Sequence, residues 1–148
     1  MRTWTTTQTV AAQPDALLDV LTDPEAARRW APVDFDVELD APARRARLAA
    51  GSRARVTGRL AGRQVGFEVE VDEATRERLA LRATGPVALD VLYDLAPTGA
   101  GSEVRASVSV RSGGGLTGRL AAEATNALLG AGLLDTAVAR IGRAAVAC

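Results

Sequence analysis

The chain has 148 residues, of which 47% are hydrophobic and 24% charged, and its 18 basic and 18 acidic side chains balance to a formal net charge of zero. This length is typical of one domain with one core, and the neutral charge argues against a protein that binds nucleic acid or an anionic membrane. Histidine is absent and every basic residue is arginine, which removes the usual general base at neutral pH, the commonest metal ligand and the lysine of Schiff-base and P-loop enzymes.

Compartment and cofactors follow from the same inventory. Cys148 is the only cysteine, so no intrachain disulfide can form, and its role stays open. The opening residues MRTWTTTQTV contain no apolar signal segment, and no later stretch reaches about eighteen apolar residues. We therefore expect a cytoplasmic protein with no integral membrane segment, no metal and no cofactor.

The first elements are a strand and two short helices. The β-branched run 4–10 predicts a strand. Pro14 suits the first turn of a helix, which the apolar spacing of Leu17, Leu18 and Leu21 supports. A second short helix begins at Asp23-Pro24 and ends before Pro32.

From residue 33 onward, apolar and polar residues alternate with a period of two. Six consecutive runs follow this rule, at 33–40, 53–60, 63–72, 77–83, 87–95 and 103–111. Strict alternation is typical of antiparallel strands with one buried and one wet face. The pattern predicts an antiparallel meander whose strand charges face solvent.

After Gly113 the period returns to that of a helix. We expect a single helix of some thirty residues, to about Ala145, with a kink allowed at Gly130–Gly132. Its apolar stripe is predicted to face the sheet and consists of Leu116, Leu120, Ala124, Ala127, Ala131, Leu134, Val138, Ile141 and Ala145. Together these elements predict one α+β domain over residues 1–148.

A helix laid across a curved sheet contacts the rim before the floor, so we expect a cavity beneath it. Only 3% of the residues are aromatic, which leaves little side-chain bulk to fill that space. Small residues at the helix centre could instead let the helix settle onto the sheet and close the cavity. The residues predicted to line it are Trp30, Phe35, Val56, Phe67, Leu81, Val91, Tyr93, Asn126, Ala127, Gly130 and Leu134.

Three segments carry a resemblance to a known family: AAQPDALLDVLTDPEAARRWAP (11–32), YDLAPTGAGSEVRASVSV (93–110) and GGGLTGRLAAEATNALL (113–129). In this order the chain resembles the START-like superfamily, also called the helix-grip or Bet v 1-like fold, and in particular the bacterial polyketide cyclase/dehydrase-like proteins. The resemblance implies a curved antiparallel sheet of about seven strands wrapped around a long C-terminal helix. It also implies a central cavity for an apolar or amphipathic molecule such as a lipid or polyketide.

Few polar groups are predicted to reach that cavity. Tyr93 has the parity of the inner face. Its hydroxyl can donate a hydrogen bond to a ligand carbonyl there, or it can hydrogen-bond to a carbonyl or water at the rim of the sheet. Asn126 flanks the helix stripe. Thr6 and Gln8 share the parity of Trp4 and Val10 on the first strand, so one of them is expected to face inward. Trp30 and the loop arginines Arg44, Arg45 and Arg47 are placed near the mouth, either as a lid or as ordinary packing and surface residues.

Three functions fit these features. The first is binding of a small hydrophobic or amphipathic ligand, polyketide-like or lipid-like. The second is a polyketide cyclase or dehydratase with Tyr93 as proton donor. The third is an interaction module with a collapsed cavity, and a homodimer is compatible with any of them.

Overall fold

The computed structural model describes residues 2–23, 35–39, 50–60, 63–112 and 115–146. The predicted second helix at 23–30 lies outside these residues except for Asp23, so Trp30 is outside them. The loop segment 40–49, with Arg44, Arg45 and Arg47, also lies outside them. The elements are β1 (Arg2–Val10), α1 (Pro14–Thr22), β2 (Phe35–Leu39), β3 (Arg53–Leu60), β4 (Arg63–Ala74), β5 (Arg78–Thr84), β6 (Val87–Pro97), β7 (Ser102–Ser112), α2 (Gly115–Gly130) and α3 (Leu133–Val146).

The strands form one seven-stranded antiparallel sheet in the order β1-β7-β6-β5-β4-β3-β2. Strands β2 to β7 follow one another as a meander. β1 pairs with β7, so β1 and β2 are the two edge strands of the sheet. The predicted α+β fold class is therefore confirmed, and with it the strand runs that alternation indicated.

The strand register gathers the apolar positions on one side of the sheet, which we call the inner face. Val56 is paired with Phe67, Leu81 with Val91, and Tyr93 with both Leu79 and Ala106. These pairings follow from side chains alternating between faces along each strand.

The opposite, outer face carries exposed ion pairs between neighbouring strands. Arg55 lies 3.4 Å from Glu68, and Arg78 lies 2.8 Å from Asp94. Arg82 forms two 3.1 Å hydrogen bonds with Asp72, which stands at a register shift between Val71 and Glu73. Exposed pairs of this kind each stabilise a sheet by less than about 1 kcal/mol, so they reinforce the register rather than create it.

The densest part of the core lies where α1 and α3 contact the sheet. Leu17 of α1, Val138 and Ile141 of α3 and Val104 of β7 are fully buried. Nearby, Ser102 is also fully buried, and its hydroxyl donates a 2.7 Å hydrogen bond to the backbone carbonyl of Ala12. This bond fixes the segment that leads into α1 against the start of β7.

The C-terminal helix is not one continuous rod, and the expected run of thirty residues was wrong in this respect. α2 ends at Gly130 and α3 starts at Leu133. Gly132 has a φ of +94°, a left-handed conformation that favours glycine. Its N–H donates to the Leu129 carbonyl at 3.2 Å, and its own carbonyl accepts from the Thr136 N–H at 3.0 Å. One glycine thus ends the first helix and begins the second.

This break also corrects the predicted apolar stripe. In α3 the stripe is buried as expected, at Leu134, Val138, Ile141 and Ala145. In α2 it faces solvent, since Leu116 is 72% exposed, Leu120 is 58% exposed and Ala127 is exposed. The buried side of α2 is instead formed by Gly118, Ala122 and Leu129. The left-handed residue interrupts the helical phase, so a stripe drawn through it cannot stay on one side.

We expect Ser102→Ala to lower the free energy of unfolding by about 1–3 kcal/mol, because the buried Ala12 carbonyl loses its hydrogen-bond donor. Urea unfolding measures this. Ser107→Ala, on the exposed face of the same strand, serves as the matched control and should change stability by less than about 0.5 kcal/mol. Equal stability of the two variants would contradict the assigned role of Ser102.

Candidate functional site

A patch of apolar side chains on the inner face remains half-buried. It comprises Val56, Phe67, Leu81, Leu89 and Val91 from β3 to β6, and we call it the groove wall. Other inner-face residues are buried, both in the main core, as at Leu79 and Val104, and in a smaller cluster of Ala54, Val69 and Ala83 against which part of the groove wall packs. The apolar surface of the groove wall is therefore only partly removed from water.

Tyr93 lies at the inner end of the groove wall, two residues along β6 from Val91. It is only 6% exposed and belongs to the main apolar core. Its hydroxyl makes no hydrogen bond with any group in the part of the chain that the structure describes, and burial alone raises the pKa of Tyr93 to about 12. At neutral pH the phenol is therefore a neutral hydrogen-bond donor inside an apolar environment.

A buried hydroxyl without a partner is energetically unfavourable. Removing such a group from water without a replacement hydrogen bond costs about 1–3 kcal/mol. Buried hydroxyls in proteins are normally paired for this reason. The described part of the chain therefore leaves the Tyr93 hydroxyl without the partner that such a group normally has.

Asn126, on α2, contacts the first strand. The indole N–H of Trp4 donates a 2.8 Å hydrogen bond to the Asn126 Oδ1 atom, and the Arg2 guanidinium lies 4.3 Å from the centre of the Trp4 ring. The Asn126 carbonyl oxygen is therefore occupied by the protein, which leaves its amide N–H groups as donors. This orientation of the amide follows from the hydrogen-bond network.

The same indole explains one of the two glycines that interrupt the C-terminal helix. A Cβ atom at Gly130 would lie 3.2 Å from the Trp4 Cη2 atom. The Trp4 ring, and not a ligand, lies next to the space that a side chain at residue 130 would take. The expectation that Gly130 leaves room for a ligand is corrected accordingly.

Two polar residues of β1 hold the start of α3. The Thr6 hydroxyl donates to the Asp135 carboxylate, and the Gln8 side-chain amide donates to the Asp135 backbone carbonyl at 2.9 Å. Both residues lie on the inner face, opposite Ala106 and Val104 of β7. Their parity was visible in the sequence, but Asp135 as their partner was not. They serve the attachment of α3 and are separate from the groove wall.

The structure sorts the predicted lining residues into several groups. Half-buried residues are Val56, Phe67, Leu81, Val91 and Asn126, while Tyr93 and Leu134 are buried. Ala127 is exposed, because the buried side of α2 is rotated away from it, so it is withdrawn as a lining residue. Phe35 lies in β2 with its backbone opposite Gly58. Trp30 lies outside the described residues.

A second depression, of about 360 Å³, lies over β3, β4 and β5 and is bordered by charged side chains of the outer face. Within it, Arg55 pairs with Glu68, and Arg82 pairs with Glu70 as well as with Asp72. We assign these cross-strand pairs of Arg55 and Arg82 to sheet register.

Comparison with models of protein families identifies the family of this chain. The model described as "Polyketide cyclase / dehydrase and lipid transport" matches residues 1–144. The chain belongs to this family. A search of the curated proteins found no match.

Solved structures with the same fold agree with the family assignment. The chain is similar to TTHA0849 from Thermus thermophilus, with 17% identity, a TM-score of 0.73 and coverage of 99% of this chain and 98% of that one. It is also similar to Ara h 8.0201, with 12% identity, a TM-score of 0.66 and coverage of 99% of both chains. DynU16, a putative protein in the dynemicin biosynthetic locus, has 23% identity and a TM-score of 0.60 over 95% of this chain and 46% of its own. These likenesses establish the Bet v 1-like fold.

Among the residues that the structure describes, no helix has the length and apolarity needed to span a bilayer.

The ionisation of Tyr93 gives a direct test of its environment, because it is the only tyrosine in the chain. We expect tyrosinate absorbance to appear with a midpoint near pH 12 in the folded protein and near about pH 10 in urea. Between these values the folded state retains a proton that the unfolded state has lost, so stability falls as pH rises, by up to about 1.4 kcal/mol per pH unit. Below pH ~10 both states are protonated, so the free energy of unfolding no longer changes with the ionisation of Tyr93 and keeps its full value. A folded-state midpoint near that of the urea sample would contradict the burial.

The energetic cost of the Tyr93 hydroxyl, which has no partner among the described residues, can be measured separately. Tyr93→Phe removes the hydroxyl and keeps the ring, so we expect the ligand-free protein to become about 1 kcal/mol more stable toward urea. A clear loss of stability in the ligand-free variant would mean that the hydroxyl is paired in the folded protein, and would remove the argument for an external partner.

Proposed function

We propose that this protein binds a small hydrophobic or amphipathic molecule, polyketide-like or lipid-like, between the inner face of the sheet and the C-terminal helices. The observation that carries the proposal is the buried Tyr93 hydroxyl, without a partner among the described residues, beside an apolar wall that is only half-buried. The family description and the occurrence of a structural relative in a biosynthetic locus agree with this ligand class.

Affinity in such a site comes mainly from burial of apolar surface, at about 25 cal/mol for each Å² removed from water. The groove wall consists of aliphatic side chains and one phenylalanine, so it selects for size and apolar character rather than for a specific polar pattern. Orientation is then set by a small number of polar groups.

Tyr93 supplies that orientation. Because its pKa of about 12 keeps the phenol protonated, it donates a hydrogen bond to an acceptor on the ligand. A neutral oxygen such as a ketone, ester or hydroxyl fits this donor best, since the surroundings of Tyr93 in the main core are apolar. A ligand carrying an oxygen near its buried end satisfies both the wall and the hydroxyl.

A second candidate function is a polyketide cyclase or dehydratase in which Tyr93 is the proton donor. The same buried phenol favours it, since a hydroxyl held in an apolar site can hydrogen-bond to a developing enolate oxygen and return a proton to it. The high pKa of Tyr93 means that this proton is released only to a strongly basic oxygen. Loss of turnover in Tyr93→Phe with retained ligand binding would favour the enzyme over the binding protein.

The decisive experiment compares two ligands that differ by one oxygen. A long-chain ketone and the hydrocarbon of equal length are titrated into the wild type and into Tyr93→Phe, with binding measured by calorimetry or thermal shift. We expect the substitution to weaken the ketone about 2- to 12-fold, which corresponds to one net hydrogen bond, and to leave the hydrocarbon unchanged.

A matched pair of substitutions locates the binding site on the inner face. Leu81→Trp adds bulk to the groove wall, whereas Leu92→Trp adds the same bulk to the outer face, where Leu92 lies between Ala80 and Ser107. Leu81→Trp should abolish binding of both ligands, and Leu92→Trp should preserve it. Binding that survives Leu81→Trp and is lost in Leu92→Trp would place the ligand on the wrong face and reject the proposal.

A further inference from the structure

The exposed side of α2 carries apolar residues at regular helical spacing. Leu116, Leu120 and Ala127 follow one another at intervals of four and seven residues, and all three are exposed. Leu116 and Leu120 are among the most exposed large hydrophobic side chains of the described chain. The spacing is that of the seam between two paired helices.

This apolar side is distinct from the one that contacts the sheet. Gly118, Ala122 and Leu129 are buried and lie on the opposite side of the helix. A helix on the surface of a monomer normally has one apolar face and one polar face. α2 has an apolar row on each side, so the burial of one row against the sheet does not account for the other.

Two charged residues beside the exposed apolar row of α2 indicate that a second copy of the chain can cover it. Arg119 and Glu123 are exposed on the same flank of it, and within the described part of the chain neither forms an ion pair with another residue. If two α2 helices pair antiparallel about a twofold axis near residue 121, Arg119 of one copy faces Glu123 of the other, and the axis generates this pair twice. A surface that is complementary to itself in this way fits an isologous dimer.

We propose that the exposed face of α2 is the contact surface of a homodimer in which two α2 helices pair antiparallel. Leu116 and Leu120 supply the apolar contact, and the two Arg119–Glu123 pairs fix the direction and register. The groove wall lies on the other side of α2, so dimerisation and ligand binding use separate surfaces.

The strength of the association follows from its extent. A helix of 16 residues is about 24 Å long, and contact along one such helix lies at the small end of specific interfaces. We therefore expect a reversible dimer that dissociates at micromolar protein concentration, and sedimentation velocity over a concentration series to detect it.

Charge reversal tests the antiparallel register. Arg119→Glu gives each copy two acidic side chains at the contact, and Glu123→Arg gives each copy two basic ones. Each single variant should dimerise about tenfold more weakly than the wild type, because attraction is replaced by repulsion. An equimolar mixture of the two variants should form heterodimers at least as tightly as the wild type, and the double variant in one chain should restore the homodimer. These effects should shrink at high salt.

Two control variants distinguish this contact from nonspecific association. Leu120→Ser should abolish the dimer. At protein concentrations where the wild type is monomeric, it should change the unfolding temperature little, because Leu120 is 58% exposed. Arg143→Glu reverses a charge at an exposed position of α3, outside the proposed contact, and should leave dimerisation unchanged. A wild-type protein that stays monomeric up to about 1 mM, or single variants whose mixture does not associate, would overturn the proposal.

Discussion

The structure depends on one constraint: a seven-stranded sheet with an apolar face has to remove that face from water. Antiparallel pairing places Tyr93, Leu79 and Ala106 in one row and aligns the remaining apolar rows in the same way. Where α1 and α3 contact these rows, the side chains are fully buried, as at Leu17 and Ile141. Over the groove wall the side chains remain half-buried, and this difference in burial along one face is why we propose the ligand site there.

The role that we propose for Tyr93 depends on its burial among apolar side chains. Had its hydroxyl found a carbonyl or a side chain within the described chain, the residue would be an ordinary part of the core. Instead, burial raises its pKa to about 12 without any compensating contact among the described residues. The apolar surroundings that make the hydroxyl unfavourable in the empty protein also strengthen any hydrogen bond that it makes with a bound molecule.

The strands and the inner face could be predicted from the sequence because both depend on local alternation, which survives folding unchanged. The same holds for α1, whose start at Pro14 follows from the geometry of proline. The break in the C-terminal helix was less accessible. Both Gly130 and Gly132 indicated that the helix could kink. Only the fold shows that Gly130 lies against Trp4 whereas Gly132 has a left-handed φ. The predicted stripe in α2 failed for this reason, since its phase depended on a continuous helix.

Contacts between distant segments were also beyond the reach of the sequence. The hydrogen bond from Trp4 to Asn126 joins residues 122 positions apart, and no local pattern specifies such a partner. Likewise, the parity of Tyr93 indicated its face but gave no information on whether a polar atom would lie near its hydroxyl. Site chemistry of this kind is determined by what is missing around a group as much as by the group itself.

The pairing of β1 has a consequence for how the chain folds. In the described sheet the first strand has β7 as its only neighbour, with Arg2 opposite Val110 and Val10 opposite Ser102. Pairing these two strands closes the loop formed by the chain between Val10 and Ser102. Closing a loop of this length is entropically unfavourable and slows folding. During synthesis, β1 can pair with β7 only after β7, which ends at Ser112, has left the ribosome. We therefore expect the meander to assemble hairpin by hairpin and the amino-terminal strand to dock late.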